Sequence, residues 1–224
     1  MTNRTLVVSI DALITADIPV LKQLPNLGRV MEHASWITDI ECIYPTLTYP
    51  CHATIATGCW PDRTGINNNE IPDFFAKGRM DWYWWREAIQ VPTVVDFARQ
   101  AGLTASTVTW PVMCASGAEY NIGEIWAPRE EDDPTPWFTR ANSPAVAKIF
   151  EANKHMLRWM KTPQMDEFAA KCAADIIRAH RPDLMLLHLS YVDHQRHRLG
   201  VHGDLEHAFR FIDGQMGLVL DALE

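Results

Sequence analysis

Leu184-Met185-Leu186-Leu187-His188-Leu189-Ser190 is an almost unbroken apolar run, and it feeds directly into Tyr191-Val192-Asp193-His194-Gln195-Arg196-His197-Arg198-Leu199-Gly200. A strand with one face in water alternates apolar and polar residues. A run without that alternation belongs to a sheet covered on both faces, as parallel sheets are. Outward along the chain, shorter strand candidates lie at Thr5 to Ile10, Trp36 to Ile43 and Thr104 to Thr109, separated by stretches of helical period. This alternation predicts an α/β fold with a mostly parallel central sheet flanked by helices. Helix ends carry their own signals. Val94 to Gln100 is closed by Gly102, and a second helix opens at Ser143 with Pro144 in its first position. Pro163 divides that helix from one reaching about His180, and a last one is expected from near Asp204 to the final residue. Pro128 to Pro136, charged and proline-rich, reads as an exposed loop. With no internal repeat and no convincing linker, residues 1–224 read as one domain.

Composition narrows the partners. The hydrophobic content of 47% supplies a core, and 28 acidic against 20 basic residues give a net charge of -8. That is the wrong sign for neutralising a phosphate backbone, so polymeric nucleic acid is excluded as a partner. The first apolar run, Leu6 to Ile10, is too short for a signal peptide or a membrane span, so no membrane partner is expected. Five cysteines without paired CxxC spacing indicate neither a disulfide framework nor a zinc-thiolate site, and a reducing cytoplasm fits best.

Asp11 directly follows the first strand candidate, which places a carboxylate at a strand's carboxyl end, where open α/β sheets build their sites. Alone it is equally a turn or capping aspartate. The segment Tyr44-Pro45-Thr46-Leu47-Thr48-Tyr49-Pro50-Cys51-His52, followed by Thr57-Gly58 and Trp60-Pro61-Asp62-Arg63-Thr64-Gly65, weighs against that bland reading. It resembles the nucleophile segment of the type I phosphodiesterase/nucleotide pyrophosphatase family of the alkaline phosphatase superfamily. There a PTxTxP run enters a helix and a TGxxPxxxG turn follows. The resemblance makes Thr48 the nucleophile and a metal ligand, and the chemistry agrees. A threonine hydroxyl needs a bound cation to release its proton, and a helix N-terminus offers donors to a phosphate. It also makes Asn69 a ligand of the phosphoryl oxygen. Val91-Pro92-Thr93 and Thr109-Trp110-Pro111 extend the likeness across nearly the whole chain. Cys59-Trp60-Pro61-Asp62-Arg63 matches the CxPxR signature of sulfatases, but in the wrong register, so Cys59 is read as an ordinary turn or packing residue.

The run after Ser190 fits the family's second metal motif, DxxxHxxG, with Asp193 and His197 one helical turn apart. A carboxylate beside an imidazole suits zinc, and also manganese or iron. His188, His194, His202 and His207 compete for the ligand role; the spacing selects His197, with His194 in reserve. The tryptophans at 82, 84 and 85 are read as packing residues.

The resemblance implies hydrolysis of phosphodiester or nucleotide pyrophosphate bonds on two divalent ions, one near Asp11 and Thr48 and the other near Asp193 and His197. A small phosphoester or nucleotide would be the substrate and a phospho-threonine the intermediate. The sequence departs from the family beyond Gly200, where neither the expected Asp-His-Gly element nor a further ligand histidine occurs. The chain therefore reads as an incomplete N-terminal part that binds metal weakly, hydrolyses little by itself and self-associates. A phosphomonoesterase, phosphonate hydrolase or phosphomutase is the alternative enzyme, and a non-catalytic phosphate-binding or interaction protein the alternative from another class.

Overall fold

The structure is a computed structural model that describes residues 4–72, 81–125, 135–157 and 162–224. Among these residues the chain runs β1 (Thr5–Ile10), α1 (Ile18–Leu21), α2 (Pro25–Glu32), α3 (Thr48–Thr57), α4 (Pro61–Thr64), α5 (Val94–Gln100), β2 (Ala105–Val108) and β3 (Tyr120–Ile122). It continues through α6 (Thr135–Ala141), α7 (Ala147–Asn153), α8 (Gln164–His180), β4 (Leu184–Leu189), α9 (Tyr191–Leu199) and α10 (Glu206–Leu220). The four strands form one sheet in the order β1-β4-β2-β3, and every pairing is parallel.

All six residues of β4 are buried, as its unbroken apolar sequence demands of a strand flanked by β1 and β2. The register from Thr5 opposite Leu184 to Ile10 opposite Leu189 brings both strands to the same carboxyl edge. The Asp11 amide, donating to the Leu189 carbonyl at 2.9 Å, extends the ladder by one step. The core is closed by α8, which packs on β4 and β2. Ala169, Ala170, Ala173 and Ala174 on α8 are all buried, and their small side chains allow close approach of a neighbouring helix. Phe138, Phe150 and Phe168 meet with ring centroids 5.0 to 6.1 Å apart and hold α6 and α7 against α8. Aromatic pairs of this kind add about 0.5–1.5 kcal/mol to the area they bury. The buried Asp213 of α10 accepts from the amides of Asn26 and Leu27, satisfying first-turn donors of α2.

Three of the four expected strands are present, and α5 starts at its Thr93 cap with Asp96 completing the capping box. Residues 36–43 form no strand. They are irregular, with Ile37 78% and Ile40 74% exposed, because a strand needs a neighbour to pair its N–H and C=O groups and no strand pairs with this segment among the described residues. Ser143 does not cap with its side chain. Its hydroxyl bonds to the Asn121 amide and the Glu119 carbonyl, and Pro144–Val146 make a single 3-10 turn before α7. The last helix stops at Leu220. Most of the expected proline-rich loop lies outside the described residues; Thr135 and Pro136 already belong to α6.

Candidate active site at the carboxyl ends of β1 and β4

The extended Leu47 precedes α3, so the first amides of that helix have no intrahelical partner. Asn69 meets one of them, its Oδ1 accepting from the Tyr49 amide at 2.9 Å. With the carbonyl oxygen so engaged, donation to an anion falls to Nδ2. Thr48, the first residue of α3, donates through Oγ1 to Oδ2 of Asp11 at 3.2 Å, so nucleophile candidate and carboxylate meet at the end of β1. One turn later, His52 contacts the Thr48 carbonyl through Nδ1 at 2.7 Å and the Ser9 hydroxyl through Nε2 at 2.8 Å. A carbonyl only accepts, so Nδ1 carries the hydrogen and Ser9 donates to Nε2. Burial, followed by the charge on His188, holds the His52 pKa down to about 4, and the ring stays neutral.

His188 is the histidine inside the apolar run of β4, and it is 2% exposed. Its Nε2 lies 3.5 Å from Oδ2 of Asp11, and its Nδ1 lies 3.4 Å from Oε1 of Glu124 and 3.2 Å from the Thr109 carbonyl. Burial pushes its pKa down, but the two carboxylates outweigh burial and raise it to about 10. Burial likewise pushes the Asp11 carboxyl up, while His188, His52 and Thr48 bring it down to about 2. Glu124 also accepts from the Tyr49 hydroxyl at 2.8 Å, which returns the chain of contacts to the first turn of α3. A buried imidazolium between two carboxylates thus underlies Asp11 and Thr48.

The second half of the site is carried by α9. Asp166, buried on α8, accepts from the Ser190 amide and hydroxyl through Oδ1 and from the Tyr191 amide through Oδ2, fixing the point where β4 turns into the helix. On that helix Asp193 Oδ2 and His197 Nε2 are 3.4 Å apart, and His197 is 78% exposed. Partial burial raises the Asp193 carboxyl, and the negative charge of Asp11 raises it further. Arg196 joins the two halves. Its Nε donates to the Ala12 carbonyl at 2.7 Å, and its Nη2 pairs with Asp17 Oδ2 at 2.5 Å, in an ion pair only 8% and 10% exposed.

The structure therefore brings Asp11 to Thr48 and Asp193 to His197, and it places Asn69 at the helix that starts with Thr48. Two carboxylates that disfavour each other's charge, with a hydroxyl and an imidazole beside them, are a donor set whose chemistry fits divalent cations. Their number does not close a sphere: among the described residues no group of three or more His, Cys, Asp or Glu is arranged to hold an ion. The Nε2 of His207 is 3.3 Å from Gln195 Oε1, and His202 is exposed. Sequence reasoning missed the work of His188, Glu124, Asp166 and Arg196. The signal for the first was present, since a histidine within a buried apolar strand requires charged or polar partners. Two roomy cavities, of about 450 and 520 Å³, lie away from Asp11 and Thr48, beside Arg4 and Arg181 and beside Arg99 and Asn142. No helix among the described residues is long and apolar enough to cross a membrane.

The family profile described as "Type I phosphodiesterase / nucleotide pyrophosphatase" matches residues 5–224. Venom phosphodiesterase 2 of Crotalus adamanteus is 26% identical over 212 residues, covering 90% of this chain and 22% of the venom protein. Ectonucleotide pyrophosphatase/phosphodiesterase family member 1 of Homo sapiens is 24% identical over 218 residues, covering 90% and 19%. Among solved structures, phosphonoacetate hydrolase from Sinorhizobium meliloti in complex with phosphonoacetate aligns with a TM-score of 0.67 at 18% identity, over 99% of this chain and 54% of the other. Murine ectonucleotide pyrophosphatase/phosphodiesterase 5, as an inactive threonine-to-alanine variant in complex with AMP, gives 0.64 at 16% identity over 99% and 52%. These two likenesses show a shared fold. The chain spans about a fifth of the length of the curated relatives and about half that of the solved chains.

Proposed function

This chain belongs to the type I phosphodiesterase/nucleotide pyrophosphatase family, and we propose that it hydrolyses phosphodiester or nucleotide pyrophosphate bonds through a covalent phospho-threonine on Thr48. The observation that carries this reading is the Thr48 hydroxyl at the N-terminus of α3, hydrogen-bonded at 3.2 Å to a carboxylate held ionised beneath it. The murine relative, inactive as a threonine-to-alanine variant, supports assigning the reaction to a threonine.

Oγ1 of Thr48 attacks phosphorus in line, the bond to the leaving alcohol or phosphate breaks, and water then hydrolyses the threonyl phosphoester. Asp11 orients the hydroxyl rather than taking its proton, since a carboxyl brought down to about pKa 2 is a weak base. The Nδ2 of Asn69 and the Thr48 amide at the start of α3 donate to the phosphoryl oxygens, since the Tyr49 and Cys51 amides are already engaged and Pro50 has none. Asp11 with Thr48, and Asp193 with His197, are the residues that would hold divalent ions, zinc first and manganese or iron next. Bound there, such ions would supply positive charge that acidifies the Thr48 hydroxyl and neutralises the phosphoryl oxygens. Two donors per ion, as the described residues supply them, bind weakly, so turnover requires excess metal. A single α/β domain, a cytoplasmic setting and self-association through the exposed 36–43 segment complete the proposal.

The test is a side-by-side assay of an aryl phosphodiester, an aryl phosphomonoester and phosphonoacetate with excess zinc or manganese, combined with acid trapping of the phosphoenzyme. Diester preference and phosphate on Thr48 are expected. Phosphate trapped on another residue overturns the nucleophile assignment, and a strong monoester or phosphonate preference moves the chain to another activity of the superfamily.

A further inference from the structure

Two thiols flank the nucleophile run. Cys42 lies exposed at the end of the irregular 34–43 segment, and Cys51 is half-buried in the first turn of α3, three residues past Thr48. Their Sγ atoms are 3.5 Å apart. We propose that Cys42 and Cys51 form a reversible thiol–disulfide pair, a covalent clasp across the loop that presents Thr48.

The geometry assigns each sulfur a part. A disulfide needs its sulfurs about 2.05 Å apart, so they must close by about 1.5 Å. Cys51 is held in place, because its amide donates to the Leu47 carbonyl at 3.0 Å and the helix continues to Thr57. On the other side residues 34–42 are exposed and belong to no strand or helix, so that segment supplies the movement. Within the loop the Thr46 hydroxyl bonds to the Ile43 carbonyl, and the Thr48 hydroxyl is directed to Asp11. The clasp therefore ties the exposed segment to α3 and leaves the nucleophile in place.

The oxidant is a low-molecular-weight disulfide. The exposed Cys42 thiolate attacks one of its sulfurs, forming a mixed disulfide and releasing one thiolate. The Cys51 thiolate then attacks Sγ of Cys42 and displaces the second. The protein gives up two electrons and two protons, and the small disulfide becomes two small thiols. Entry falls to Cys42, which is exposed, while the half-buried Cys51 thiol, pushed up by burial, makes the closing attack, which quickens as pH rises because the thiolate is the attacking form.

The experiment treats the full chain, carrying Cys59→Ser to remove the neighbouring thiol, with oxidised glutathione. Expected are a peptide containing residues 42 and 51 that is lighter by two hydrogens and retains no glutathione, a rise in Tm, and reversal of both by dithiothreitol. The mixed disulfide should decay faster as pH rises. Cys42→Ser should lose both the cross-link and the Tm rise. Phenylarsine oxide, which bridges neighbouring thiols, should bind one per chain and fail with either single serine variant, a readout that depends on neither oxidation nor hydrolysis. Glutathione stably retained on both cysteines, the same Tm rise in Cys42→Ser, or no arsenical binding to the folded parent overturns the clasp. Lack of phosphodiesterase activity does not bear on it.

Discussion

Replacing His188 by glutamine isolates the buried charge beneath the site. The imidazolium lies 3.5 Å from Asp11 and 3.4 Å from Glu124 and is itself buried, 2% exposed. A pKa raised from 6.5 to about 10 corresponds to about 4–5 kcal/mol favouring the charged ring, at 1.36 kcal/mol per unit. Removing one partner of a buried ion pair costs about 3–5 kcal/mol by a separate route. Glu124 keeps its hydrogen bond from Tyr49, so the lower end applies, about 3 kcal/mol, and for a chain of this size Tm falls by roughly 6–12 °C. The sign of the pH dependence follows from linkage. A folded pKa above the unfolded one gives stability that is complete below the unfolded value and is lost as pH rises through the folded value. The parent's advantage over the glutamine variant is therefore full at about pH 6 and shrinks between 6.5 and about 10. Asp11, displaced downward, contributes in the opposite window, with stability present above 3.8 and lost as pH falls through about 2. Thermal melts of both proteins in chelator, at about pH 6 and about pH 10, test the argument without metal. A gap below about 1 kcal/mol at the lower pH, or one that does not narrow at the higher, would refute the imidazolium between carboxylates.

Further outcomes are expected at the site itself. Thr48→Ala should abolish turnover while leaving zinc affinity within about tenfold by calorimetry, and Thr48→Ser should retain measurable activity because the hydroxyl remains. Asp193→Ala and His197→Ala should each weaken binding of the same ion, with the double variant little worse than either; additive losses would separate the two residues and favour His194. Arg196→Lys should lower kcat/KM by about tenfold or more with modest loss of Tm, since an ammonium cannot bridge Ala12 and Asp17 together, and Asp17→Asn in the same background should add little.

What the sequence made legible were features in which neighbours along the chain also cooperate in space. The apolar run of β4, the helix Val94 to Gln100 and the break at Pro163 each express local chemistry, and each is where it was expected. Asp193 and His197 meet because a helix brings residues four apart together. The 36–43 segment has strand composition, but pairing is a property of the neighbour, and none is present among the described residues. The contacts that position the site are long-range. Glu124 reaches His188 and Tyr49, Asp166 reaches Ser190, Arg196 reaches Asp17, and Asn69 reaches back to α3. None of these pairs has a period or spacing to betray it. Only the incongruity of His188 within an apolar strand marked the place where such partners had to exist.

The charge balance at the strand ends supplies a physical reason for the cation dependence proposed above. Glu124 and Asp11 face one buried imidazolium, and Asp193 adds a third carboxylate, whose charge Asp11 disfavours. The cluster is net negative, while the ligand it would receive is itself an anion. Like charges about 4 Å apart repel by about 4 kcal/mol at an effective dielectric of 20, more than one helix N-terminus returns, at about 0.3–1 kcal/mol for an exposed group. The Asn69 amide and the first turn of α3 can orient a phosphoryl group, but they cannot pull it toward Asp11 and Asp193 against that repulsion. Protonating Asp193 would lower the repulsion, and its raised pKa moves in that direction, yet a neutral acid is also a poorer metal ligand. A divalent ion would resolve both conflicts at once, favouring the ionised carboxylates and reversing the sign that the phosphate meets. On the proposed reading, then, the carboxylates would not receive substrate directly, and a bound cation would be the condition for substrate binding.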